Sequence, residues 1–303
     1  MRRLGIATLL VLAQLGCAPL TQAACGPRSG QTTAPEKRLV LQNLTNGQGG
    51  REIMSAVFAG DVAQVRSLAG RDPKLLTTHV PSPKGQDFNP DGQFGDLLTV
   101  AVARCDRPML DALLAMGGPP DGGSSGAALD HAIRIGDLDA ARRLLEAGAS
   151  PDPLTERHPD AMLTASGNRD LDAVKLLIAH GTKLDRLDSV GDTPLQGVVA
   201  GNSMLAAEVL IDAGADPWAV GAGGGLPAFN ISKPLILYSD EEEAARQRLI
   251  ARLRKPGVPW PPPNPAAVRA AIRADAWPPP ELRAVGAKPA IPMVAEDAKR
   301  RTD

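Results

Sequence analysis

Apolar residues recur at helical spacing through the middle of the chain. Ile133, Leu138, Ala141, Leu144 and Leu145 line one side of a pair of short segments, the pattern of amphipathic α-helices. The pattern then returns. The runs LLEAG, LLIAHG and VLIDAG end on Gly148, Gly181 and Gly214, each 33 residues after the last. Behind each glycine the register also holds: Asp137, Asp170 and Ser203 coincide, and so do Leu129, Met162 and Leu195. The predicted helices are only two or three turns long and would be marginal alone in water. Stacked units bury one another's apolar faces, so stability belongs to the array. Alanines at 101, 132 and 165 let adjacent first helices approach closely. The turn within each pair favours a residue with a left-handed backbone, supplied by Gly60, Gly136 and Asn202. Cys105 and Arg169 stand at the same place and do not adopt positive φ cheaply. Distorted or re-registered turns are expected there.

Particular residues sharpen the reading. Gly191-Asp192-Thr193-Pro194-Leu195-Gln196 opens one unit and Gly214-Ala215-Asp216 closes it, while Gly148-Ala149-Ser150 is one step off the same closing triplet. Two earlier segments fit less well. One runs from Asp96 through Leu113-Leu114 to Gly117, two residues short of the period, and the other from Ile53 through Gly60-Asp61 to Leu68. Period, turn residues and apolar positions together resemble the ankyrin repeat, with Gln196 where that family carries histidine. The resemblance covers 51–218, about five repeats, with an insertion at 73–95. It implies an all-α, ankyrin-like helix-turn-helix solenoid with short hairpin loops and a helical C-terminal cap. Residues 24–50 read as a flexible linker containing a short helix over 35–44. Residues 219–277 read as a degenerate repeat or cap. Within them Ser239–Arg254 forms a helix with Glu241, Glu242 and Glu243 in its first turn and arginines in its last, an order that suits the helix dipole. A last short helix runs from Asn264 to Trp277, and 278–303 reads as a disordered tail.

The N-terminus reads as an export signal. Arg2-Arg3 precedes an apolar run from Leu4 to Leu15, too short to span a bilayer but suited to a secretory h-region. Thr21-Gln22-Ala23 offers a cleavage site that would remove 1–23. Leu15-Gly16-Cys17 resembles a lipobox, which would leave Cys17 as a lipidated N-terminus. Both alternatives place the chain in the bacterial envelope, periplasmic or lipid-anchored. That compartment permits a disulfide, for which Cys25 and Cys105 remain; whether they pair stays open.

Charge and composition narrow the chemistry. Lys plus Arg number 33 against 34 Asp plus Glu, so general affinity for nucleic acid or an anionic surface is excluded as an expectation. Three Trp, one Tyr and four Phe are too few for a base-stacking platform. Asp87, Asn89, Asp91 and Gly92 spell the front of a calcium loop, but Leu98 stands where its bidentate glutamate belongs. The four histidines, His79, His131, His158 and His180, have no metal-pair spacing. No cofactor, metal or catalytic residue is expected. The resemblance implies instead a non-catalytic, monomeric module that binds a partner protein through its concave face and hairpin tips. Candidate contacts are His131, Arg134, Thr164 and Asn168 on the first helices. Glu156, Arg157, Arg186, Asp188, Ser189, Asp192 and Trp218 are candidates on the tips. The narrower alternatives are an immunity protein that neutralises a toxic effector and a metal-dependent enzyme using the 87–96 loop.

Overall fold

Most helix starts inside the repeats are chemically marked. In the computed structural model, which describes residues 37–42, 44–81, 95–122, 127–153, 160–233, 239–290 and 292–300, aspartates cap one helix after another. The helices are α1 (Lys37–Gln42), α2 (Gly47–Ala59), α3 (Val62–Arg71), α4 (Leu97–Ala103), α5 (Arg107–Ala115), α6 (Ala127–Ile135), α7 (Leu138–Glu146) and α8 (Ala161–Gly167). They continue with α9 (Leu171–Ala179), α10 (Pro194–Ala200), α11 (Met204–Asp212), α12 (Pro227–Ser232), α13 (Asp240–Leu253), α14 (Pro265–Arg273), α15 (Pro280–Arg283) and α16 (Pro292–Arg300). Asp61, Asp106, Asp137 and Asp170 each accept an N–H in the first turn of α3, α5, α7 and α9. Each thereby satisfies a donor that the helix cannot satisfy itself. Thr193 caps α10 reciprocally with Gln196, a capping box.

The helices pair as α2/α3, α4/α5, α6/α7, α8/α9, α10/α11 and α12/α13. First helices stack on first helices and second on second along the whole row. Helices α12 and α13 therefore form a sixth pair, with α12 on α10 and α13 on α11. One apolar cluster runs from Val40 through Ile53, Leu110, Ile133, Leu144, Leu177, Leu195 and Leu210 to Leu249. Ala101, Ala132 and Ala165 are all completely buried between first helices. Among the described residues no strand forms; the hairpin loops contribute a single bridge, between His79 and Asp96.

The turn within each pair is more regular than the sequence suggests. Cys105, Arg169 and Asn202 all take φ of 57°, beside Gly60 at 72° and Gly136 at 78°. The closing bonds match as well. The N–H groups of Cys105 and Asp106 donate to Val102 and Ala101, and those of Arg169 and Asp170 to Ser166 and Ala165. Nothing is re-registered. The left-handed backbone costs a non-glycine residue roughly 1–2 kcal/mol, and packing of two helices on fixed neighbours outweighs it.

Arg169 shows how. From its turn, Nη1 reaches Glu242 Oε1 on α13 at 2.8 Å. The other oxygen of Glu242 accepts the N–H of Leu205 at 2.9 Å, in the first turn of α11. Ser203, the N-cap of α11, makes no side-chain cap of its own and donates instead to the carbonyl of Ser166. A carboxylate from the sixth pair thus caps the fifth and anchors the fourth.

Cys105 is disulfide-bonded. The other cysteines of the sequence, Cys17 and Cys25, lie outside the described residues. A cross-link of this kind stabilises largely by restricting the unfolded chain. Dithiothreitol is expected to cost about 2 kcal/mol, at the lower end of the usual range, and to lower the melting midpoint by several degrees. Cys105→Ser should show the lowered midpoint without reductant and no further response to it. A melt insensitive to both would mean that the cross-link does not restrain the fold.

The ends differ from expectation. Within 24–50, α1 places Val40 at 6% exposure in the core, and α2 already begins at Gly47. Of the insertion, 73–81 is described: Pro73–Thr77 forms a 3-10 turn, and the Val80 N–H donates to the Gly95 carbonyl. Residues 82–94, and with them Asp87, Asn89, Asp91 and Gly92, lie outside the described residues. The expected tail after Pro278 is a correction. Residues 280–300 carry α15 and α16, and Leu282, Ala287 and Val294 are buried. Prolines at 278–280 suggest an end to structure, yet here they open a helix, since proline suits its first turn.

Candidate partner-binding surface

The inner face of α6 and α8 is held by a polar network. Asp130, 2% exposed, pairs with Arg134 one turn along α6 and accepts the hydroxyl of Thr164 from α8. Asn168 donates to the carbonyls of Ile133 and Arg134 at 3.1 and 3.2 Å. Three of the predicted contacts, Arg134, Thr164 and Asn168, therefore sit together; Thr164 and Asn168 fasten one repeat to the next, while the Arg134 side chain pairs within α6. His131 is a correction: at 3% exposure it belongs to the interior of α6, not to the concave surface. Asp130, which organises the group, carried no distinguishing signal in the sequence.

The hairpin tips are built on aspartates. Asp188 Oδ1 accepts the N–H groups of Val190, Gly191 and Asp192 at 3.0, 2.9 and 2.8 Å. Ser189 and Val190 project at that tip, and Val190 is 65% exposed. Arg186 bridges Asp152 and Asp160, tying one hairpin to the next. Glu156 and Arg157 lie outside the described residues, as does Cys17. Trp218 is the second correction. It is 3% exposed and part of the main core, with its N–H on Asp216 Oδ1 at 2.8 Å. The hairpin folds it inward, so it offers a partner no anchor.

Asp192 faces the other way along the hairpins, accepting the Ala222 N–H at 2.8 Å. Burial raises its carboxyl above the usual carboxylate range, the Ala222 N–H opposes this and the charge of Asp188 adds to it. Burial also raises Asp216, against the Trp218 N–H and the charge of Lys288. Acids with raised values bind protons more tightly folded than unfolded. Their contribution favours the fold at acidic pH and is lost as pH rises through those raised values. Gln196, in the place of the family's histidine, donates to the Gly225 carbonyl at 3.1 Å while its oxygen accepts the Thr193 N–H. A Cβ on Gly221 would stand 1.9 Å from Gln196 Nε2 and 2.4 Å from Asp192 Oδ1. Gly221→Ala should accordingly destabilise by about 1–3 kcal/mol through overpacking, seen as a lower urea midpoint. An unchanged midpoint would show that this junction can yield.

Among the described residues, no three His, Cys, Asp or Glu side chains are placed to share a metal ion. Asp96 is spent on α4, accepting the Thr99 N–H and hydroxyl. No described helix is long and apolar enough to cross a membrane.

A family model described as ankyrin repeats (3 copies) matches residues 129–220. These residues hold the α6–α11 pairs whose turns and caps are set out above. Residues 129–220 carry ankyrin repeats. It is similar to an ankyrin repeat-containing protein of Treponema pallidum (strain Nichols), 33% identical over 104 residues. That match spans 33% of this chain and 35% of the relative, about a third of each. The crystal structure of the human ASB11 ankyrin repeat domain covers 78% of this chain and is itself covered to 99%, at 16% identity and a TM-score of 0.43. Ankyrin repeats are generally protein–protein interaction modules, and the fold is typically non-catalytic.

Two apolar side chains were not among the sequence candidates. Val190 stands on its braced tip, and Leu163 is 37% exposed on the inner face of α8. Leu163 lies over Gly197 of the next first helix, so close that a Cβ there would meet it at 2.6 Å. Single apolar positions in a helix or loop give no sign of exposure until neighbouring repeats are stacked.

Proposed function

We propose that this protein is an exported, monomeric binding module. It holds a partner protein against its hairpin tips and the inner face of α6–α10. One observation carries the reading: Val190 is 65% exposed on a loop fixed by three N–H bonds to a single carboxylate. An apolar side chain held rigidly in water loses little entropy on docking. Arg134, Thr164, Asn168 and Leu163 supply a mixed polar and apolar surface nearby. The export part rests on the apolar run at Leu4–Leu15 and on the disulfide at Cys105, because such bonds persist in oxidising compartments. The mass of the mature N-terminus distinguishes cleavage after Ala23 from lipidation at Cys17.

The test is photo-crosslinking in intact cells. A benzophenone amino acid at position 190 should give one discrete adduct. The same probe at 142, exposed on a second helix, should give none. Equal labelling from both positions, or none from 190, would overturn the reading.

A further inference from the structure

The hairpin after α9, the hairpin after α11 and the segment between α15 and α16 surround a cavity of about 150 Å³. Its apolar walls are Leu184, Leu187, Val220 and Ala290. They belong to two separate cores. Leu184 packs on the main cluster, whereas Leu187 and Ala290 pack on a second cluster that contains Val220. The cavity is therefore a seam between two cores, not a defect within either. Its charged side chains are Asp185, Asp216 and Lys288. Asp185 and Lys288 are exposed, so the cavity reaches solvent on their side. Asp216 is held from below. Its Oδ1 accepts the Trp218 N–H at 2.8 Å, while Oδ2 is buried with no hydrogen-bond partner among the described residues. The charge of Lys288 reaches Asp216, but among the described residues no ion pair joins them. A buried acceptor left without a donor is costly, the more so when it is charged.

These features specify a ligand. The orphaned carboxylate oxygen asks for a hydrogen-bond donor. Two carboxylates against one ammonium in the wall favour a cation, and a charged donor makes the stronger bond. An apolar cavity of this size holds a body of about six heavy atoms. We propose that the cavity binds a primary alkylammonium group, with its nitrogen on Asp216 Oδ2 and a chain of about four carbons against Leu184, Leu187 and Val220. Such a group comes on a free amine or on the lysine side chain of a protein. The site is separate from the surface proposed above for the partner, since neither Val190 nor Arg134, Leu163, Thr164 or Asn168 lines it. Crosslinking from position 190 therefore tests the one reading and amine binding the other.

The probe is n-butylammonium, titrated into the full chain and followed by the backbone amide resonances of 218–220. These should shift and saturate in the millimolar range that so small a ligand allows. n-Butanol, alike in shape but uncharged, should bind about tenfold more weakly. Asp216→Asn keeps an acceptor for the Trp218 N–H. Burial already holds the Asp216 carboxyl above its usual range, so the neutral amide is expected to fold, with butylammonium binding weakened about tenfold. Ala290→Leu fills the cavity and leaves Asp216 in place; it should abolish binding. Nα-acetyl-lysine methylamide separates the two sources: tighter binding than butylammonium points to a protein side chain, weaker binding to a free amine. Absence of saturable binding by either amine would overturn the proposal. So would butanol binding as tightly as butylammonium, or butylammonium binding left unchanged by either substitution. If Asp216→Asn does not fold, butanol and Ala290→Leu decide.

Discussion

Leu144→Ala is expected to lower the stability of this protein by about 3–5 kcal/mol, the range for a fully buried leucine whose surroundings cannot collapse. Leu144 lies on α7 with no exposure at all. It sits among Ile133, Ala141 and Leu177 of the main cluster. Helices on either side are fixed by their own stacking, so the space left by three carbons stays open. Loss should also spread along the stack, because each repeat takes much of its stability from its neighbours. Urea titration followed by circular dichroism measures it. A midpoint unchanged within error would show that Leu144 does not bear on the shared interior.

Glu242→Ala should cost nearly as much, about 3 kcal/mol, although it removes no large apolar surface. Its side chain is 3% exposed and holds both Arg169 and the Leu205 N–H. Removing one partner of a buried pair leaves the others uncompensated, typically at about 3–5 kcal/mol. The value here falls at the lower end because Arg169 is 30% exposed and can turn to water. Glu242→Gln keeps an acceptor for Leu205 and removes the charge, so it should recover part of the loss. Equal losses for alanine and glutamine would place the whole effect in the ion pair. No loss in either would remove α13 from the array's support. Glu243, next in sequence, makes a contrast. Its hydrogen bonds from Arg246 and Gln247 hold its carboxyl down at about 2, yet it lies at the surface, where such pairs contribute little.

The repeat region was legible because its signal is periodic. Gly148, Gly181 and Gly214 at equal spacing, with Thr193-Pro194-Leu195 in phase, fix the helix pairs from α6 to α11. The Ser239–Arg254 helix was legible for a local reason, a serine cap followed by acidic residues and then basic ones. What escaped depends on contacts between distant residues. The turns at Cys105 and Arg169 look unfavourable locally and are overruled by the helices on each side. Arg169 meets Glu242 across 73 positions, and no periodicity reports such a pair. Trp218 reads equally as a contact on the hairpin tips, where tryptophan is a common hot-spot residue, and as packing on the C-terminal cap; the turn at Asp216 carries it inward. Past Pro278 the apolar residues fall outside the repeat register. Leu282 and Val294 are buried there by surfaces that exist only once the array has formed.

The central claim is that α12 and α13 complete one continuous stack in which the last pair supports those before it. Native-state hydrogen exchange across a urea series tests it directly on the full chain. The account predicts that amides in α9, α11 and α13 lose protection in one common transition, and that Glu242→Ala shifts all three together. Loss of protection in α13 at low urea, with α9 and α11 still protected at their native level, would contradict it.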